Sequence, residues 1–263
     1  MIDWESLPPL TQSGAGCALD WSVVAGDADS IRELQALLAN RRFAVLHGVG
    51  SDVESAKAIL RNLGPLVEHE KREDGVLSLD GSKDEEEVLR GQEYMPLHKD
   101  GLLMGISVQW VGIFCEVFRD VSNGRTFISD ASCALDAIPR DVLEALEQYG
   151  IEAEAVDSDY YLKEAAKWHP LVAIEKRPAG VSLNLGLPYR AGTRPSWRVR
   201  IAKVAQLKSD QLLAELEAVL MASRYLYQHE WREGDLLLFD NQRVLHGRES
   251  YTGSRRLANL QVC

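Results

Sequence analysis

Gly234-Asp235-Leu236-Leu237-Leu238-Phe239-Asp240-Asn241-Gln242-Arg243-Val244-Leu245-His246-Gly247-Arg248 is the stretch on which the reading of this chain turns. Gly-Asp opens a turn, four apolar residues make a short strand, Asp-Asn makes a second turn, and Val244-Leu245-His246 re-enters as another strand. A histidine carried on such a strand is aimed inward, among apolar neighbours. Runs of the same texture fill the chain from Val76 onward: Val76 to Leu79, Ile106 to Phe118, Arg125 to Ser129, Ile151 to Val156, Val181 to Leu187 and Arg255 to Val262. Many short strands with long connections predict a mostly β protein with peripheral helices. Its core would be a double-stranded β-helix of the jelly-roll or cupin kind, whose two sheets enclose a site.

Helices are expected at the edges of this core. Ser30 to Asn40 places Leu34, Leu37 and Leu38 on one face, and Asp52 to about Leu63 forms a second amphipathic helix stopped by Gly64-Pro65. Pro139 to Tyr149 and Lys208 to about Tyr225 interrupt the strands as helical inserts. No repeat, low-complexity tract or Pro/Gly/Ser linker marks a boundary, so a single domain over 1–263 is expected. Within it, 1–75 would be a helical and strand part packing on a jelly-roll core of 76–263. The acidic run Asp84 to Glu87 reads as a solvated loop.

Within Met95-Pro96-Leu97-His98-Lys99-Asp100-Gly101, His98 and Asp100 stand two apart. In an extended segment both side chains therefore project from one face and Lys99 from the other. Imidazole with carboxylate suits Fe(II), Mn(II) or Zn(II), and His246 is the candidate third ligand; two histidines and one carboxylate leave coordination positions open for reagents. Alone, a His-x-Asp is common by chance and reads more readily as a solvated or structural pair than as a metal site. Arg255 and Arg256 head the apolar stretch Leu257 to Val262. An arginine buried there cannot shed its charge and needs an anion, for which a bidentate carboxylate is the natural partner.

Taken together, the His-x-Asp, the Gly-Asp-Leu-Leu-Leu-x-Asp-Asn segment leading to a distal histidine, and the double arginine give the chain a marked likeness. Over most of its length it resembles the Fe(II)- and 2-oxoglutarate-dependent oxygenases of the taurine dioxygenase (TauD/TfdA) family. The looser segments Leu187-Pro188-Tyr189, Pro195-Ser196-Trp197, Arg224-Tyr225-Leu226-Tyr227 and Trp231 to Asp235 look most like the carbapenem synthase branch. The resemblance implies that His98, Asp100 and His246 bind Fe(II), with 2-oxoglutarate and O2 as co-substrates. The distal carboxylate of 2-oxoglutarate would lie against Thr126 and one arginine of the pair, since strand neighbours face opposite ways. The carbapenem-synthase-like register favours Arg255 and the taurine-dioxygenase-like register favours Arg256.

The implied reaction oxidises an unactivated C–H bond of a small molecule and releases succinate and CO2. Hydroxylation, desaturation, cyclisation and epimerisation all remain open, in specialised, antibiotic-like biosynthesis, while the retained Asp100 counts against halogenation. The carbapenem-synthase likeness also gives Arg248 and Gln261 substrate-contacting roles. It would put a further arginine near Asn259, where this chain has none. Arg248 reads equally as a salt-bridge partner of Glu249, and Trp197 and Tyr161 fall in inserts that could line a lid or pack in the core. Two other classes compete: a non-enzymatic cupin-like metal or ligand-binding protein, and a zinc hydrolase on a β scaffold. Neither has an evident use for a buried arginine beside Thr126.

Composition bounds the partners. With 29 basic against 40 acidic side chains and a net charge of -11, the chain lacks the basic face that nucleic acid or an anionic membrane requires. The expected substrate is a small molecule, amino-acid-derived or carboxylate-bearing, and a homo-oligomer stays open. Met1-Ile2-Asp3-Trp4-Glu5 carries acid where a signal peptide needs base. No apolar run approaches the roughly 18 residues of a membrane span, so a cytoplasmic protein is expected. The four cysteines form no CxxC pair, and His47, His69, His169 and His229 read as surface or packing residues.

Overall fold

The computed structural model describes residues 6–21, 28–69, 72–81, 88, 91–156, 161, 167–177 and 180–263; the Met1–Glu5 and Asp84–Glu87 stretches read above lie outside the described residues. Two sheets form the jelly-roll core. The larger runs in the order Cys17–Asp20, Phe43–His47, Leu236–Asp240, Trp110–Asn123, Tyr251–Val262, Val76–Asp80. The smaller runs Leu226–His229, Thr126–Ser129, Leu245–Arg248, Met95–His98.

Alternation along each strand assigns the layers. On Leu236–Asp240, Leu237 and Phe239 join Phe43, Val111, Ile113, Leu257 and, from the smaller sheet, Ile128 in the space between the sheets. Leu236 and Leu238 face the other way, against Leu34, Leu38, Ile59 and Leu60 of the helices Ala28–Arg41 and Val53–Arg61. This strand reads as an unbroken apolar run because both of its faces are covered. The Val53–Arg61 helix begins at Asp52, whose carboxylate accepts the Ser55 N–H, and ends just before Gly64-Pro65. The outer face of the smaller sheet, with Leu97, Phe127 and Leu245, packs on a third layer. That layer holds the helices Arg140–Tyr149 and Gln206–Leu220 and the sheet Trp197–Ile201, Ile151–Ala155, Trp168–Leu171.

Departures from the sequence expectation have local causes. Trp197–Ile201 is a strand not among those expected, though Trp-Arg-Val-Arg-Ile alternates apolar and charged residues as a half-buried strand does. Its Arg198 and Arg200 pair across the strands with Glu154 and Glu152. The expected strand Val181 to Leu187 is instead one arm of a hairpin, Gly180–Leu183 against Ile174–Arg177. Its tail continues beside the His-x-Asp segment through a backbone bond from Leu187 N–H to the Leu97 carbonyl and a bridge between Gly186 and His98. Among the described residues no helix is long and apolar enough to cross a membrane. All four cysteines are free thiols.

Candidate active site

The strand Met95–His98 lies beside Leu245–Arg248, with His98 directly opposite His246. Gly247 permits this approach, because a Cβ there would sit 2.8 Å from the Met95 carbonyl oxygen. The two imidazole rings lie 4.2 Å apart, and the His246 ring rests 4.9 Å from Phe239. The strand ends at His98, so Asp100 sits in the following turn rather than on an extended segment. It nevertheless reaches the same point: Asp100 Oδ1 is 3.5 Å from His98 Nε2 and 3.6 Å from His246 Nε2.

Three donor atoms thus converge within 4.8 Å of one another. His98 Nδ1 lies 2.9 Å from the Pro96 carbonyl, an acceptor that places the ring proton on Nδ1 and leaves the Nε2 lone pair facing the cluster. Burial, reinforced by the neighbouring His98, pushes His246 down to about 3 against the opposing pull of Asp100, so it is neutral at neutral pH. For Asp100, burial alone would raise the carboxyl. The two histidines and the Gln261 amide outweigh it and hold the group well below the usual carboxylate range. Two imidazoles and an ionised carboxylate are a donor set that fits Fe(II).

Asn241 holds the Asp100 backbone on both sides. Its Oδ1 accepts the Asp100 N–H, and its Nδ2 donates to the Asp100 carbonyl, both at 3.1 Å. Lys99 turns away from the histidines and is buried. Its ammonium donates to Ser182, Asn184 and Gln242, and burial, with the Arg177 charge, brings it down to about 8.

A cleft opens from the histidines, lined by Met95, Leu103, Met104, Tyr161 and Trp197 and by Leu79, Ile113 and Leu257. Arg255 and Thr126 also line it, both almost fully buried. Arg255 Nη2 lies 3.5 Å from Thr126 Oγ1, and the Tyr251 ring lies 4.8 Å below the guanidinium. Among the described residues no carboxylate pairs with Arg255. Burial and the adjacent Arg248 charge both press its pKa down, so the guanidinium sits in a place that favours an added anion. Trp231 Nε1 also donates to Thr126 Oγ1, at 3.0 Å.

Over residues 5–263 the chain matches the family described as "Taurine catabolism dioxygenase TauD, TfdA family". The chain belongs to this family. It is accordingly an Fe(II)- and 2-oxoglutarate-dependent oxygenase. The alpha-ketoglutarate-dependent 2,4-dichlorophenoxyacetate dioxygenase of Cupriavidus pinatubonensis is 25% identical, over 86% of this chain and 85% of that one. A tyrosine isonitrile desaturase of Erwinia amylovora is 25% identical, over 89% and 81%. Among solved structures, PvcB of Pseudomonas aeruginosa superposes with a TM-score of 0.70 at 22% identity, over 94% of this chain and 86% of that one. AAD-2 in complex with Mn(II) and N-oxalylglycine superposes with a TM-score of 0.72 at 18% identity, over 98% and 96%, a likeness of fold.

The other residues singled out in this TauD/TfdA sequence distribute as follows. Arg256 is not in the cleft: it faces outward, half-exposed, and pairs with Glu116 at 3.2 Å. Arg248 lines the cleft, donating to the carbonyls of Glu93 and Val88, while Glu249 pairs with Arg125 instead. Gln261 lines the cleft too, but its amide donates to Asp100 Oδ2 at 2.7 Å. Trp197 donates to the Leu187 carbonyl and packs 5.1 Å from the His98 ring, and the Tyr161 hydroxyl meets Ser196 at 2.9 Å, so both are cleft walls held by their own hydrogen bonds. Sequence reasoning missed Asn241 and Trp231 as parts of the site, although both stand in the segments that carry the family likeness. His47 and His229 flank buried Asp235, at 2.8 and 3.3 Å, and hold the turn that opens the Leu236–Asp240 strand.

Proposed function

We propose that His98, Asp100 and His246 hold Fe(II), that Arg255 and Thr126 hold the distal carboxylate of 2-oxoglutarate, and that the enzyme oxidises an unactivated C–H bond of a small molecule bound between Met95, Leu103, Tyr161 and Trp197. The observation that carries this reading is the pairing of a convergent His-Asp-His set with a buried arginine that has no carboxylate partner among the described residues, both lining one cleft. When bound, the iron and the ketoacid supply an oxidant strong enough for that bond, with succinate and CO2 released. The protein's own part is position and electrostatics. Arg255 neutralises and orients the ketoacid, the aromatic and aliphatic walls exclude water, and the substrate's reacting carbon is placed beside the histidines.

Biosynthetic relatives support a role in specialised metabolism, and they include the tyrosine isonitrile desaturases and a pentalenolactone F synthase of Streptomyces avermitilis. Hydroxylation, desaturation and ring closure all begin from the same C–H cleavage and are compatible with this site. The testing experiment is an anaerobic titration of apoprotein with Fe(II) and then 2-oxoglutarate, monitored for the visible charge-transfer band of a chelated ketoacid. Admission of O2 and assay of succinate follow. Band and succinate are expected; intact fold and bound metal without the band would sink the oxygenase reading and restore the cupin-like binding protein.

Trp231 enters this reading through hydrogen geometry. Thr126 Oγ1 already accepts from Trp231 and from Arg255, so its own proton is left to point at a third partner, the ketoacid carboxylate. Trp231→Phe keeps most of the ring and removes the donor. It should raise the 2-oxoglutarate concentration for half-maximal rate by roughly 5- to 10-fold, the worth of about one hydrogen bond, with the rate at saturation little changed. An unaltered requirement would show that Thr126 needs no such orientation.

A further inference from the structure

The metal-facing carboxylate is gripped from the side away from the histidines. Asp100 Oδ2 accepts the Gln261 Nε2 donor at 2.7 Å and the Asn259 Nδ2 donor at 3.2 Å, whereas Oδ1 is the oxygen turned to both imidazoles. Asn259 and Gln261 stand two apart on Tyr251–Val262, so they share the cleft face of that strand. Both are almost fully buried.

The direction of each amide is determined by its surroundings. Arg72 Nη2 donates to Asn259 Oδ1 at 2.9 Å, and an arginine can only donate. The Asn259 oxygen must therefore face Arg72 and its nitrogen must face Asp100. Arg72 Nη1 also donates to the Asn259 backbone carbonyl at 2.9 Å, gripping the residue at two points. For Gln261, a flipped amide would set its oxygen against a carboxylate oxygen. The observed orientation avoids that and leaves Oε1 without a partner among the described residues. A buried carbonyl left unsatisfied is a cost that the contact with Asp100 must offset.

We propose that Asn259 and Gln261 are positioning residues that clamp Asp100 Oδ2, so that Asp100 offers one oxygen to the metal, with Arg72 setting the direction of the Asn259 amide. This rests on the reading that His98, Asp100 and His246 hold Fe(II). The clamp has a use in that reading. A carboxylate free to rotate can give both oxygens to a metal and so occupy a position that the ketoacid or O2 requires. It also accounts for Gln261, to which the carbapenem-synthase likeness gave a substrate contact and whose amide instead donates to Asp100.

The test uses Mn(II) in place of Fe(II) and reads binding, not turnover. Gln261→Met keeps the length of the side chain and removes the donor. Its affinity for Mn(II), titrated by electron paramagnetic resonance, should fall by about 10- to 100-fold, the usual effect of losing a partner of a metal ligand, while circular dichroism and melting stay those of the parent. Infrared spectra of protein carrying 13C-carboxylate aspartate add a signature that a merely structural role would not move. The Mn(II)-loaded parent should show the wide splitting of carboxylate stretches typical of one bound oxygen, and Gln261→Met a narrower splitting.

Asp100→Ala separates the two levels of the argument. If Asp100→Ala keeps parental Mn(II) affinity, the metal centre itself is misassigned and the clamp falls with it. If Asp100→Ala loses the metal but Gln261→Met keeps parental affinity and splitting, the clamp alone is wrong. Should Gln261→Met not fold, the splitting in the parent decides: a narrow one overturns the proposal.

Discussion

Asp100→Ala is expected to lose Fe(II)-dependent succinate release, with a fall of about three orders of magnitude or more at any metal concentration that can be reached. The substitution removes the carboxylate from a set of three donors, and among the described residues no other acidic group joins the cluster. It should not unfold the protein. The Asp100 side chain borders the cleft, where water can replace it, and the turn is held through backbone groups by Asn241, which the substitution leaves in place. His98→Ala and His246→Ala should behave alike, because His98 and His246 stand on paired strands and contribute equivalent nitrogens. Oxygen uptake and succinate, measured across a metal titration with melting as the fold control, check the result. Parental activity in any of the three would remove that residue from the metal centre.

Arg255→Ala should raise the 2-oxoglutarate requirement by about 10²- to 10³-fold, the loss of a buried charge-assisted pair worth roughly 3–4 kcal/mol. The rate at saturating ketoacid should fall far less, since the guanidinium grips a remote carboxylate and not the reacting atoms. Arg256→Ala should change the requirement by less than about twofold. Arg256 is half-exposed and meets Glu116 at the surface, and pairs of that kind contribute about 0–1 kcal/mol. Steady-state kinetics with varied 2-oxoglutarate separate the two. An effect at Arg256 with none at Arg255 would show that the ketoacid approaches from another direction.

The contrast between these neighbours marks a limit of sequence reading. Alternation requires that one arginine face the cleft and the other face away, but it does not say which. The answer comes from the pairing of Tyr251–Val262 with Trp110–Asn123. There the register steps from Arg256 opposite Val117 to Leu257 opposite Cys115, so Glu116 is an extra residue in the partner strand. The bulge lies in Trp110–Asn123, so Tyr251–Val262 keeps its period of two, and Arg255, Leu257, Asn259 and Gln261 all line the cleft. Trp197–Ile201 is a gap of another kind: its strict alternation of apolar and charged residues is itself a strand signal, and only its place in the sheet, with Arg198 and Arg200 beside Glu154 and Glu152, comes from the neighbouring strand.

What the sequence by itself determined was the chemistry. Imidazole, carboxylate and guanidinium are properties of side chains, and the His-x-Asp, the apolar strand before His246 and the double arginine are local features of the chain, although Asp100 reaches the histidines from a turn held by Asn241 and not from an extended strand. The jelly-roll class followed from the same local signals, because strand alternation and turn residues act over a few positions. What only the tertiary structure decided was direction: Arg255 rather than Arg256 in the cleft, Gln261 turned to Asp100, Arg72 reaching Asn259 from a distant segment. Those outcomes depend on which strand lies beside which and in what register. A face of a strand becomes the inside of a site only once its neighbours are in place.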